Sequence, residues 1–257
     1  MQLSRLTPCF TYSLGKGLYV PLTSRCNSLT LPETRGPEFL LPTDVVAALC
    51  RVRDVENGTD QWTQWIESSL GSNISHLKMP EAISRIHTIS SNSDGHEASL
   101  PLIHDLIEEI ESRLNDQSSN IEAIILAGEG EPTMRLNDLL DLVEEIRVRC
   151  KLPVRLTTNG LVTSDDVAKR LAESGVSKVS VALMTAEPKQ YDDLMQPLPD
   201  NAHARVCSFI KEVIQADLHL EITAVDRHDV DKEKLENLSR SLGVASPIRW
   251  RPYFDYT

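Results

Sequence analysis

The sequence predicts an α/β fold of parallel strands, and three observations predict it. Six short apolar runs are separated by five segments whose apolar residues recur at helical spacing. The first three runs end in polar or glycine-containing loops, where a strand stops and a crossover begins. At 257 residues the chain is long enough to bury a sizeable core within a single domain, residues 1–257. Strand–helix–strand alternation implies parallel strands joined by right-handed crossovers. An α/β barrel, a partial barrel and a doubly wound sheet all satisfy that pattern.

The elements follow in order. Residues 18–22 are a short apolar run leading into Thr23-Ser24-Arg25-Cys26-Asn27. Thr43 caps an amphipathic helix carrying Val45, Val46, Ala48 and Leu49 on one side. Residues 100–114 read as a helix, and 121–126 (IEAIIL) as a strand closed by Gly128. In the helix 136–149, Leu136, Leu139, Leu140, Val143 and Ile146 make one buried stripe. Strand 154–157 ends at Asn159-Gly160, and Ser164-Asp165-Asp166 opens a helix that Gly175 stops. Strand 176–183 is backed by a helix at 202–215, strand 218–225 by a helix at 232–242, and residues 248–253 close the series.

Residues 55–98 break the alternation. They are rich in Gly, Asn, Ser and His and hold no sustained period, with short helical pieces at Trp62, Trp65 and Ile66 and at Ile83 and Ile86. They read as a flexible, partly irregular insertion, of the kind that serves as a contact surface for a protein partner. Residues 1–14 read as an unstructured N-terminus.

Composition narrows the function. Lys and Arg total 26 against 38 Asp and Glu, a net charge of −12, which argues against general nucleic-acid binding. No apolar run is long enough to cross a membrane, and no signal-peptide core opens the chain. An intracellular protein of the cytoplasm or an organelle matrix, not secreted, is expected. Five cysteines lie at wide spacings with no Cys-x-x-Cys pair, and the histidines make no metal-binding pattern.

Ligand sites of parallel α/β folds gather at the carboxyl ends of the strands. That rule selects Gly128-Glu129-Gly130-Glu131-Pro132, where two glycines allow close backbone approach and carboxylates can hold an ammonium group or exchange a proton. The bland alternative is a strand-to-helix turn, with Glu131 and Pro132 entering the next helix. Thr158-Asn159-Gly160, Ser180, and Arg249 with Arg251 occupy comparable positions, and the two arginines share one strand face.

Taken together, VPLTSRCN, AGEGEPTMRL, RLTTNGL, TAEPKQYDDLMQP and RWRPY resemble the radical S-adenosylmethionine (SAM) superfamily, in particular its members associated with TatD deoxyribonuclease. The resemblance covers residues 12–55 and 120–254. It implies a partial (β/α)6 TIM-like barrel binding SAM across the strand ends. Gly128, Glu129, Gly130, Glu131, Pro132, Thr158, Asn159, Ser180, Glu221 and Arg251 are then the cofactor-binding candidates. Superfamily members hold a [4Fe–4S] cluster through a Cys-x-x-x-Cys-x-x-Cys run. Here Cys26 takes the first position, the only metal-ligand candidate, while Thr30 and Glu33 take the other two. The expectation is a homologue that has lost its cluster and keeps a SAM-like small-molecule pocket. Two rivals are an active enzyme with unconventional cluster ligation, generating a 5′-deoxyadenosyl radical, and a cluster-free hydrolase or lyase using paired Glu129 and Glu131.

Overall fold

The computed structural model describes residues 9–69, 74–80, 101–116, 119–162 and 164–256. Residues 1–8 of the expected unstructured N-terminus and 81–98 of the expected insertion, with Ile83 and Ile86, lie outside the described residues.

A hairpin opens the fold. Strands β1 (Tyr12–Leu14) and β2 (Gly17–Val20) pair antiparallel around Gly15, whose φ of +60° suits a tight turn. Tyr12–Leu14 therefore forms a strand, contrary to the expectation that the first 14 residues carry no structure. The signal was Gly15 between two short β-prone stretches. The chain then passes through β3 (Leu41–Pro42), α1 (Thr43–Asn57), α2 (Gln61–Ser69) and β4 (His76–Leu77), with β3 and β4 forming a separate two-stranded ladder. Thr43 is the first helical residue of α1, and the capping position belongs to Pro42. The helix ends at Gly58 in the left-handed region.

From α3 (Ile103–Asn115) onward the alternation is regular: β5 (Ala123–Leu126), α4 (Leu136–Arg149), β6 (Val154–Thr158), α5 (Val167–Ser174), β7 (Lys178–Ala182), α6 (Pro188–Met195), α7 (Ala202–Gln215), β8 (His219–Asp226), α8 (Lys232–Ser241) and β9 (Arg249–Pro252). The main sheet runs β1-β2-β5-β6-β7-β8-β9, with every pair after the first hairpin parallel. The six anticipated strands are all present within a few residues of their expected limits. Strand order that follows chain order is that of a barrel left open, and the curled sheet forms a half-barrel. Its curl brings Arg251 on the last strand within electrostatic reach of Tyr12 and Tyr19 on the first two.

The two sheet faces differ. Leu18, Val20, Ile124, Leu156, Val179 and Ile222 alternate onto one face and share a core with residues of α3, α4, α5, α7 and α8. On the other, concave face, α1 covers the β1–β2 edge: Val45, Ala48 and Leu49 pack on Tyr12 and Tyr19. Farther along, the same face is polar. Register places Thr157, Ser180 and Glu221 in one row, with Thr223 beside Arg249 and Val225 beside Arg251.

Candidate functional site at the carboxyl ends of the strands

The loops that follow β2 and β5 are zipped together. The Gly130 N–H donates to Thr23 O at 3.2 Å and the Glu131 N–H to Arg25 O at 2.8 Å. A Cβ on Gly130 would stand 2.4 Å from Arg25 O and 2.6 Å from Thr23 O, so only glycine permits this approach. Gly128 is similarly confined, its hypothetical Cβ falling 2.4 Å from the Pro21 ring. Pro132 starts a short 3-10 turn, residues 132–135, ahead of α4.

Glu131 is sealed at 3% exposure, and its carboxylate is satisfied from within the chain. It accepts from Thr133 N (3.0 Å), Thr133 Oγ1 (2.7 Å), Thr158 Oγ1 (2.7 Å) and Asn159 N (2.7 Å). Burial raises its carboxyl above the usual glutamate value against the pull of these donors. Asn159 extends the network, donating through Nδ2 to Asn27 Oδ1 (2.8 Å), Ser28 Oγ (3.1 Å) and Cys26 Sγ (3.7 Å). Cys26 is buried, and burial, helped by the nearby Glu131 charge, pushes its thiol up to about 12. Its sulfur lies within a closed hydrogen-bond network with Asn159 and Ser28.

Glu129 points elsewhere. Arg53 on α1 grips it with two donors, Nε at 2.7 Å and Nη2, and both side chains are only 4% exposed. Arg53 also donates to Pro80 O at 3.0 Å and lies 4.8 Å above the Trp62 ring. Burial raises the Glu129 carboxyl while the Arg53 hydrogen bonds and charge draw it down. The carboxylate pairing expected between Glu129 and Glu131 is therefore not made, because each has its own donors on a different element. One turn beyond Arg53, Glu56 accepts from Thr23 Oγ1 at 2.5 Å and Ser24 N at 2.8 Å. Helix α1 thus fastens both loops. Arg53 and Glu56 were missed in the sequence, where the one signal was two charged residues on a helix face otherwise filled by Val45, Leu49 and Val52.

Thr30 and Glu33 bond to each other: Glu33 Oε2 accepts from Thr30 N at 2.8 Å and Thr30 Oγ1 at 2.7 Å. Among the described residues no group of three or more His, Cys, Asp or Glu side chains is arranged to hold a metal ion. Ser180 and Glu221 lie lower on the concave face, away from the Glu131 network. There Glu221 accepts from Lys178 Nζ (2.6 Å) and Ser180 Oγ (3.0 Å) and pairs with Arg249 at 3.4 Å. Arg251 lines a small pocket beside Arg35 and Thr223. The sequence-selected residues thus divide into three places: the Glu131–Thr158–Asn159–Cys26 network, the Glu129–Arg53 pair, and the Ser180–Glu221–Arg251 row.

A cavity of about 390 Å³ opens over the strand ends, lined in part by Thr30, Glu33, Lys78, Glu129, Met184 and Tyr253. Its volume is within the range of small-molecule sites, about 300–1,000 Å³. Of the cofactor-binding candidates, Glu129 alone lines it.

A family model described as "Radical SAM superfamily" matches residues 91–241, more than half of the chain. The match starts after the loop that carries Cys26, Thr30 and Glu33. GTP 3′,8-cyclase of Clostridium perfringens is 28% identical over 138 residues, 52% of this chain and 40% of the relative. A probable GTP 3′,8-cyclase of Methanococcus maripaludis is 35% identical over 65 residues, 25% of this chain and 21% of the relative. The chain thus matches less than half the length of these curated relatives. Among solved structures, TYW1 with a lysine-pyruvate adduct bound superimposes with a TM-score of 0.48 at 10% identity, covering 93% of this chain and 65% of that one. Streptococcus suis SuiB bound to S-adenosylmethionine gives 0.45 at 22% identity, covering 58% and 34%.

Proposed function

Because the chain belongs to the radical SAM superfamily, we propose that it is a member of the TatD-associated type that carries no [4Fe–4S] cluster of its own and works as a non-catalytic or altered, small-molecule-binding homologue. The donor set of the loop after β2 carries this reading. A cluster of this kind is held by cysteine thiolates, and the loop offers one thiol, Cys26, buried and hydrogen-bonded by Asn159. The positions four and seven residues after Cys26, where the other two cysteines would stand, are Thr30 and Glu33, tied to each other. Cys50 does not supply a substitute, since it is fully buried against Val46 and Ile66 on α1 and α2. The residues present do not fit the cluster.

The cavity of about 390 Å³ supports ligand binding. Its wall carries an ion pair already closed by Arg53, so a cationic amino group meets a neutralised carboxylate at Glu129. S-adenosylmethionine, whose methionine part carries such a group, is then a weak ligand here. The structure of the loop supports binding without redox chemistry better than an active enzyme with unconventional ligation.

The deciding measurement is iron and sulfide content after anaerobic reconstitution, with the absorption spectrum recorded alongside. The expected result is colourless protein with iron no higher than in Cys26→Ala. A full complement of iron that Cys26→Ala abolishes would overturn the proposal and restore the active enzyme.

A further inference from the structure

The concave face holds a concentration of positive charge. Lys178, Arg249 and Arg251 stand on one face of β7 and β9, and Arg35 joins them from the loop after β2. One carboxylate, Glu221, lies among these four cations, and it is shared between Lys178 and Arg249. The chain as a whole is strongly acidic, with a net charge of −12, so a local surplus of cations runs against the average. Arg155 extends the same face, paired in register with Lys178 and exposed.

Arg249 shares Glu221 with Lys178, but Arg35 and Arg251 make no ion pair with a carboxylate among the described residues. Arg251 Nε is buried without a hydrogen-bond partner among the described residues. A buried donor of this kind left unpaired costs stability, so its persistence calls for an acceptor that the described residues do not supply. Among the described residues Arg35 finds a backbone acceptor, Pro252 O at 2.8 Å, and the faces of Phe39 and Phe254. Burial together with the Arg251 and Arg249 charges lowers the Arg35 guanidinium to about 10. Arg251 is lowered in the same way, by burial and then by Arg249.

We propose that the concave face at β9 binds the phosphate group of a small phosphate-bearing molecule, with Arg251 and Arg249 as its principal ligands and Arg35 flanking. Phosphate suits the site because guanidinium forks take its oxygens two at a time, and several cations can share its charge. Exposure grades along the face in a way that admits a ligand: the side chain of Arg249 is 55% exposed, that of Lys178 21%. The inference extends the small-molecule reading by giving the ligand's charge, and it stands apart from the question of iron.

The test is calorimetric titration of the full chain with inorganic pyrophosphate and, separately, with a nucleoside triphosphate. S-adenosylmethionine serves as the comparison ligand. Binding should weaken as salt is raised. Arg251→Gln should weaken pyrophosphate binding by about tenfold or more, as expected for loss of a charge-assisted hydrogen bond, and the exposed Arg249→Gln should weaken it in the same direction. Glu221→Gln should act oppositely and tighten it several-fold, because it removes the carboxylate that competes for the same cations. A purely structural role for these residues would not reverse sign between Arg251→Gln and Glu221→Gln. Equal affinity in wild type and both arginine variants, or no heat with either phosphate ligand, would overturn the proposal. Tighter triphosphate than pyrophosphate binding places the nucleoside on the site as well; equal affinities confine recognition to the phosphates. Either result leaves the iron measurement, and the reading it tests, untouched.

Discussion

Arg53 shows how one side chain can decide the state of a binding site. It enters from the middle of a helix, is almost wholly buried, and spends two donors on Glu129. Removing one partner of a buried ion pair leaves the other charge uncompensated, which costs about 3–5 kcal/mol. Arg53→Met should therefore lower the urea midpoint strongly, and the double change with Glu129→Gln should recover much of the loss. If the double variant is no more stable than the single one, the pair is not coupled and Arg53 serves only to pack on Trp62. Glu221 gives a second residue-scale prediction, now in pH. Burial pulls its carboxyl up, but the Lys178 hydrogen bond, the Arg249 and Lys178 charges and Ser180 together hold it below the usual glutamate value. A carboxyl lower in the folded than in the unfolded chain contributes stability above its unfolded value of about 4.3, lost as pH falls through the folded one. Glu131 works with the opposite sign, since burial raises it and acidification relieves its cost. Glu221→Gln should consequently flatten the acid limb of a stability–pH curve below about pH 4.3, whereas an unchanged limb would mean that the Lys178 and Arg249 contacts do not persist in solution.

At the scale of elements, the segment after β2 is held at three points rather than by its own secondary structure. Glu56 fixes Thr23 and Ser24, Gly130 zips against Arg25, and the chain's last residues fasten the far end. There the Phe254 N–H donates to Arg35 O at 2.8 Å and the Glu38 N–H to Phe254 O at 3.2 Å. Gly36, at φ +103°, sits against that junction, and a Cβ on it would stand 2.2 Å from Phe254 O. Gly36→Ala meets both backbone strain and a backbone clash, so it should cost more than about 1 kcal/mol, read as a lower denaturant midpoint with an unchanged slope. An unchanged midpoint would show that the loop and the C-terminal residues are not joined as described. The same elements explain what sequence reasoning could reach. Strands β5 to β8 and helices α4, α7 and α8 were legible because each carries a run or stripe of apolar residues long enough to have a period. Strand β1 was not, since three residues have too little pattern to separate from a loop, and α6 was not, since Pro188–Met195 buries only Tyr191 and Met195. In the site, Gly130 and Glu131 were legible through their position after a strand. Their partners were not: Glu131 binds Thr158 and Asn159 from 27 and 28 residues away, and Glu129 binds Arg53 from 76. No local spacing encodes a pairing set by the curl of a sheet.

For the whole molecule, the placement of charge and of stability go together. The half-barrel is open, so its two edges, β1 and β9, each pair on one side only, while β6, β7 and β8 pair on both. The central strands also carry fully buried Leu156, Val179, Val181 and Ile222, whereas Arg249 on β9 remains half in water. A backbone hydrogen bond shielded on both sides opens only when the surrounding core opens, whereas an edge can fray by itself. The amides of β7 should thus exchange with solvent hydrogen only through global unfolding, at a free energy equal to that from urea denaturation. Those of β9 should exchange through a smaller local opening that is nearly insensitive to urea. Native-state hydrogen exchange in low urea measures both, and equal protection of β7 and β9 would show that the sheet continues past its apparent edge. The arginine-bearing strand is thereby the one able to adjust. A site built on β9 can shift to meet an anion without disturbing the core that positions it, which a site built on β7 could not do.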